Sequence, residues 1–403
     1  MSHASLSGTS RGGSVVSGAL LVAGTCIGGG MLALPVLTSL GGFIPSLALY
    51  FLCWLFMAGT ALLYLEACLW LEGTPNIVSL ARHALGKGGE AVAWVVYLFL
   101  FYCLTTAYVT GCGGFVTSLF GEGIPHWLGS IVFVMVVAPV VYRGARAVDR
   151  VNLVLMVGLG CSYVLLLVQG LPHVKLDLLK HASWPLSLVA LPIFFTSFAF
   201  QGIVPSLTSY LKRDPRKVRL AILWGSVIPL FVYAIWEGLI LGIVPTYGPG
   251  SLFEALEAGA NAIQPLKTVL GDPMIYIAGE FFALFALVTS FLGVTLGLLD
   301  FLADGLKVKK EGKGKLVLCL LVFIPPTALA MTSPHIFLSA LGLAGGYGVA
   351  MLLGVLPILI VWAGRYKHGF KSPYHLGGGR ISLTLLMVFV LFELGLELSQ
   401  LLK

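Results

Sequence analysis

Long apolar runs, separated by short clusters of polar and basic residues, recur along the whole chain. A helix needs about 20 mostly apolar residues to cross a bilayer. The runs predict spans over roughly 14–38, 44–71, 90–119, 127–142, 150–171, 186–210, 218–243, 274–300, 316–332, 336–363 and 381–401. That makes eleven spanning helices in a single membrane domain, since no shift in pattern marks a soluble one. The first run is longer than the apolar core of a signal peptide and lacks a small-x-small cleavage site, so it is expected to stay in the protein.

Composition strengthens this reading. Of 403 residues, 58% are hydrophobic and only 10% are charged, too few polar groups to cover a water-soluble surface. Charge then orients the chain. With the N-terminus inside, only Lys175, Lys180, Lys267 and Lys403 fall on the outer side, and the other 20 of the 24 Lys and Arg residues fall on the cytoplasmic side. One missed or invented span would scramble that alternation, because each crossing reverses the side of every later loop. The N-terminus is therefore expected in the cytoplasm and the C-terminus in the periplasm. The net charge of +7 reflects orientation and contact with anionic lipid, which leaves a nucleic-acid partner without support.

The seven cysteines all fall in spans with no C-x-x-C pair, so neither a disulfide framework nor a metal cluster is indicated. The eight histidines fall in loops or the tail. No phosphate-binding G-x-x-x-x-G-K-[ST] loop is present, which argues against a primary pump. H-E-x-x-H does not occur, and the one G-x-S-x-G match, GTSRG at 8–12, lies ahead of the first span, so a membrane enzyme has little motif to stand on. No cofactor or metal is expected.

Two spans are interrupted. Span 1 carries AGTCIGGGMLALP, with Gly28, Gly29 and Gly30, and span 6 carries FFTSFAFQGIVPSL, with Gly202 and Pro205. Five spans precede the 172–185 loop and five follow it, and a unit with an odd number of crossings repeats in inverted orientation. Matching breaks in the first span of each half are the sign of an inverted-repeat transporter. A half-helix that starts at the midplane presents free N–H groups suited to a carboxylate, and one that ends there presents carbonyls suited to an ammonium or a cation. Such a site fits a zwitterion. Gly24 and Gly28 also form G-x-x-x-G, so close helix packing is the alternative for span 1 taken alone.

The stretches SGALLVAGTCIGGGMLALP, FYCLTTAYVTG, LPIFFTSFAFQGIVPSL and LVTSFLGVTLGLLDFLAD resemble the bacterial hydroxy and aromatic amino acid permease family, over essentially the whole chain. The resemblance implies an all-α membrane protein with a leucine-transporter-type 5+5 inverted repeat plus an eleventh helix, spans 1 and 6 being discontinuous. The repeats would cover about 14–171 and 186–363, and the extra helix about 381–401. It also implies proton symport of an aromatic amino acid, tyrosine first and tryptophan second, into a bacterium across its inner membrane. A sodium-coupled symporter of the same fold is the alternative. A channel ranks below both, suggested only by glycine-rich stretches such as GLAGGYG at 342–348.

Carried onto this sequence, the resemblance assigns the substrate carboxylate to Gly28, Gly29 and Gly30. The ammonium and pocket lining go to Thr196, Ser197 and Phe198, with Thr105, Thr106 and Tyr108 on span 3. Tyr108 with Phe195, Phe198 or Phe200 would close over the ligand. Thr289 and Ser290 match hydroxyl positions that bind sodium in sodium-coupled relatives of the fold, whereas a proton-coupled protein needs a carboxyl group in a poorly solvated place. Glu66 and Asp300 lie in family-like stretches and are the leading acids, with an ion pair to a cytoplasmic base as the alternative for each. Glu237 and Glu280, in the outer halves of their spans, are expected to face an outer vestibule. Glu393 and Glu397, one turn apart on span 11, are expected to be structural. The 251–264 segment has the spacing of a short helix capping the vestibule, and 75–86 that of a helix along the cytoplasmic interface.

Overall fold

The computed structural model describes residues 13–73, 75–120, 125–333 and 335–402; Arg11 and Lys403 of the charge pattern lie outside them. Among the described residues there are helices and no strands. Ten helices are long and apolar enough to cross a membrane, and a bent pair brings the number to eleven.

The first span is that bent pair. Helix α1 (Val15–Cys26) and helix α2 (Gly30–Thr38) meet at 57° across 27–29. The cause is local: Ile27 leaves the helical region at φ −72° and ψ 104°, and the glycines that follow cannot hold a helix together. Pro35 sits inside α2 and has no N–H to give the carbonyl of Met31. The Trp236 indole donates to that carbonyl at 3.0 Å instead, which pins α2 to a later span.

Helices α3 (Phe43–Cys68), α4 (Ile77–Phe120), α5 (His126–Arg143) and α6 (Ala145–Gly170) complete the first five crossings. In α4, Gly86 adopts φ 75° and ψ −163°, so the 77–85 portion stands as a separate helix before the span itself, as the 75–86 pattern predicts. The sixth span is broken between α7 (Leu191–Ser197) and α8 (Val204–Tyr210), with an irregular stretch and one 3-10 turn between them. Pro192 and Pro205 each occupy the first turn of their half-helix, where the missing N–H does no damage. Then come α9 (Pro215–Ile243), the short α10 (Leu252–Glu257) and α11 (Gln264–Leu270), α12 (Pro273–Gly305), α13 (Gly312–Thr332), α14 (Ile336–His368) and α15 (Gly379–Leu401).

Packing follows from the breaks. Helix α1 runs against α9, α12 against α6 and α4, and α14 against α4 and the broken sixth span. Gly345, Gly346 and Gly348 of the 342–348 stretch belong to a π-helical part of α14, Ala344–Val355. A Cβ at Gly345 would stand 1.8 Å from the Pro192 carbonyl oxygen, so only glycine allows the tenth span this close to the sixth. Helix α10 packs on α2 and α11 on α12, and between them the Ala262 N–H donates to the Leu32 carbonyl at 3.1 Å. The 251–264 segment thus forms the short helix its spacing predicts and caps α2.

Candidate functional site

The two breaks meet. Tyr233, reaching in from α9, sets its phenolic oxygen 2.6 Å from the Cys26 carbonyl oxygen and 2.9 Å from that of Ser197, the last residues of α1 and α7. Both half-helices therefore end on one hydroxyl group. A Cβ placed on Gly30 would lie 2.9 Å from the Ser197 Oγ, so the start of α2 touches the end of α7.

The start of α2 offers donors. The Gly29 N–H donates to Ser290 Oγ at 3.0 Å, while the N–H groups of Gly28 and Gly30 have no partner among the described residues. Free N–H groups at a helix start attract negative charge. The space around them is tight. A Cβ at Gly28 would lie 2.1 Å from Ser290 Oγ, and one at Gly29 would lie 2.6 Å from Tyr108 Cε1.

A cavity of about 460 Å³ opens from these residues, within the size range of small-molecule sites. Gly28, Gly29, Gly30, Tyr108, Thr196, Thr289 and Ser290 line it, as do Tyr64, Tyr97, Phe101 and Asn152. It continues to Asn76 and Ile77 beside the start of α4, and so runs from the breaks toward the face that carries the basic loops. The opposite face is closed over the breaks by α2 and its cap.

Several expected site residues stand elsewhere. Phe195 is buried against Phe56 and Phe389, and Phe198 against Tyr50 and Tyr233, so neither ring lines the cavity. The Thr105 hydroxyl donates to the Phe101 carbonyl at 2.7 Å. The hydroxyls of Thr106 and Ser197 are buried without a partner among the described residues. Thr289 donates within its own helix, to Phe285 O at 2.8 Å.

The acids divide sharply. Glu66 is fully buried and faces Arg365 through two hydrogen bonds, Nε to Oε1 at 2.7 Å and Nη2 to Oε2. Its two oxygens also meet His375 Nδ1 and the Leu376 N–H, each at 3.1 Å. Asp300 is 54% exposed and pairs with Lys310 at 2.7 Å. Glu280 lines a separate cavity of about 240 Å³ with Tyr276, His126 and His335. Glu237 differs from expectation: it faces no vestibule and is enclosed between α2, α3 and its own helix.

Some of the lining was missed in the sequence. Tyr97, Phe101, Leu104 and Tyr108 all line the cavity and follow one another at three- and four-residue steps, one face of a helix. Extending that spacing back from Tyr108 would have found Phe101 and Tyr97. Gln201, inside the sixth-span break, is fully buried and donates to Met57 O at 3.1 Å and Thr60 Oγ1 at 3.0 Å. Nothing short of the fold signals those partners.

Residues 11–396 match the tryptophan/tyrosine permease family. The chain is 36% identical to the tyrosine-specific transport system 1 of Haemophilus influenzae over 380 residues, covering 93% of this chain and 94% of that one. It is 31% identical to the tryptophan-specific transport protein of the same organism over 392 residues, 93% of each chain. A glutamine transporter 2 of Aliivibrio fischeri is 29% identical over 392 residues, 93% of this chain and 97% of the relative.

Proposed function

The chain belongs to the tryptophan/tyrosine permease family, and from that premise we propose that it carries an aromatic amino acid inward across a bacterial cytoplasmic membrane together with a proton, by alternating access. It is a permease and not an enzyme. Tyrosine is the first substrate and tryptophan the second, in line with the relatives named tyrosine- and tryptophan-specific. The five spans of 14–171 and the five of 186–363 act as inverted repeats, the last helix standing outside them, and the N-terminus lies in the cytoplasm.

The observation that carries this reading is the cavity at the meeting point of the two breaks, closed on one face and open toward the other. The substrate carboxylate goes to the N–H groups of Gly28 and Gly30, where the helix start favours a negative charge. Thr196 and the backbone of the sixth-span break take the ammonium group. The aromatic ring lies among Tyr108, Phe101 and Tyr64, which supply flat apolar faces. Lipid and the coupling ion are the other partners.

Protons are favoured over sodium by the Tyr233 hydroxyl. Carbonyls at half-helix ends are what a coupling cation would use, and here those of Cys26 and Ser197 already share a hydroxyl. Sodium at Thr289 and Ser290 is the second reading, since both side chains line the cavity. Uptake of labelled tyrosine into proteoliposomes tests both, under an imposed pH gradient with and without sodium, and with unlabelled tryptophan, phenylalanine, leucine and glutamine as competitors. Accumulation driven by the pH gradient and blocked by aromatics alone is the expected result. Competition by glutamine would move the substrate class toward that of the Aliivibrio fischeri relative, and accumulation only with sodium would overturn the proton.

A further inference from the structure

Glu237 lies one helical turn beyond Tyr233 on α9 and outside the cavity. Its side chain is fully buried. Oε2 accepts from the Tyr50 hydroxyl at 2.9 Å, and Oε1 is hydrogen-bonded to the Thr38 hydroxyl. Among the described residues no Lys, Arg or His forms an ion pair with it.

Counting hydrogens gives its state. Thr38 has one hydroxyl proton, and its Oγ1 stands 2.7 Å from the Leu34 carbonyl four residues back, the usual partner of a helical threonine. If that bond is made, the Thr38 oxygen can only accept from Glu237, and Glu237 must carry a proton. If instead Glu237 is ionised, Thr38 turns to it and that back-bond is lost. The larger difference is the charge, since an unpaired carboxylate enclosed among apolar groups is strongly disfavoured. The neutral acid satisfies every partner, donating to Thr38 and accepting from Tyr50.

The position of that acid matters. Thr38 is the last residue of α2, the half-helix that closes the outer face over the breaks, and Tyr50 belongs to α3. Glu237 therefore ties the second half of the first span to two neighbouring spans. The groups facing it can be named from each side. From α2 comes the Thr38 hydroxyl and from α3 the Tyr50 phenol; behind Tyr50 lie the rings of Phe194 of α7, edge-on at 4.7 Å, and of Tyr233. Nothing in this set supplies a positive charge.

We propose that Glu237 is the proton-binding group of the transport cycle: it takes a proton from the outer water, and α2 docks on it only in the neutral form, so the outer face cannot close without that proton. A hydronium ion of the outer water loses one O–H bond as one forms at Oε1, leaving neutral water, and nothing is oxidised or reduced. This rests on the proton-symport reading above and supplies its residue.

The test is Glu237→Gln, whose amide can donate to Thr38 and accept from Tyr50 as the neutral acid does, and which should therefore fold. In proteoliposomes the variant should keep tyrosine counterflow within about twofold of the parent, while its pH-driven accumulation ratio falls to about 1, the value without a driving force. The pH profile of its exchange should be flat. Undiminished pH-driven accumulation in the variant would overturn the proposal. An independent readout is the infrared difference spectrum, parent minus variant, at neutral pH. A protonated carboxyl band supports the latch, and an ionised carboxylate band in its place overturns it. Sodium-driven uptake by the parent with no response to a pH gradient would remove the symport reading, and the spectrum would still decide the state of Glu237.

Discussion

The Tyr233 hydroxyl stands 2.6 Å from the carbonyl oxygen of Cys26, where the first span breaks, and the same hydroxyl reaches the carbonyl at the break of the sixth. Helix ends buried in a membrane need partners, since no water is present to take unpaired backbone groups. One phenol serves both ends, which couples the two breaks mechanically. A shift of α1 or α7 alone would give up a hydrogen bond that a joint shift retains.

Tyr233→Phe should therefore destabilise the protein by about 1–3 kcal/mol, the effect of leaving buried acceptors unpaired. The thermal unfolding midpoint in detergent checks it. A further consequence follows from the carbonyls being freed: added sodium should raise the midpoint of the variant and leave that of the parent unchanged, because exposed carbonyls suit a hard cation. Equal responses to sodium would mean that the phenol does not hold the place of an ion.

Gly28 and Ser290 should be energetically coupled. A Cβ at Gly28 would lie 2.1 Å from Ser290 Oγ, closer than the atoms can stand. Gly28→Ala alone should weaken tyrosine binding by about tenfold or more, since displacements at a packed site are worth about 1–3 kcal/mol. Adding Ser290→Ala makes room, and the double variant should bind better than Gly28→Ala. Additive losses in the cycle would mean that the two residues act independently.

Glu66 is better suited to holding the fold than to moving a proton. It is buried against an Arg365 side chain that is only 10% exposed, with a two-point hydrogen bond between them. Removing one partner of such a pair costs about 3–5 kcal/mol, because the other is left buried and charged. Glu66→Gln should lower the unfolding midpoint and the yield of folded protein. The fraction that folds should still accumulate tyrosine under a pH gradient; loss of accumulation with full exchange in that fraction would instead give Glu66 the coupling role.

Much of this was legible in the residue pattern. Hydropathy and the alternation of basic loops predict the eleven crossings, because both reflect the bilayer itself. The glycines of 28–30 announce the first break. Side-chain direction was not legible: Phe198 lies in the sixth-span break by sequence, yet its ring turns toward Tyr50 and Tyr233, and only the packing of three spans decides that. The same holds for Glu237, whose partners Thr38 and Tyr50 lie 199 and 187 residues away.

Asp214 gives a pH dependence outside the membrane. It caps the start of α9, accepting from the N–H groups of Lys217 and Arg216, and these bonds hold its carboxyl below the usual range. A depressed value in the folded protein means that its stabilising effect is present above the unfolded value and is lost as pH falls through the folded one. Asp214→Ala should lower the unfolding midpoint at pH 7, and the gap from the parent should close in acid. A gap that persists at low pH would show that the effect is not carried by the ionised cap.

Glu393 offers the contrast to Glu237. It too is fully buried, on α15, but neither of its oxygens has a hydrogen-bond partner among the described residues. The Cys53 thiol and the acids and phenol of its own surroundings, Glu397 and Tyr347, supply no positive charge. An unsatisfied buried polar group costs about 1–3 kcal/mol, and replacing it with an apolar group of similar shape recovers that amount. Glu393→Met should therefore raise the unfolding midpoint while leaving pH-driven accumulation intact, where Glu237→Gln abolishes accumulation. Both acids lie in the membrane without a base beside them, but only Glu237 is hydrogen-bonded to the half-helix that closes the outer face. Loss of accumulation in Glu393→Met would put the proton on the eleventh helix, away from the helix breaks.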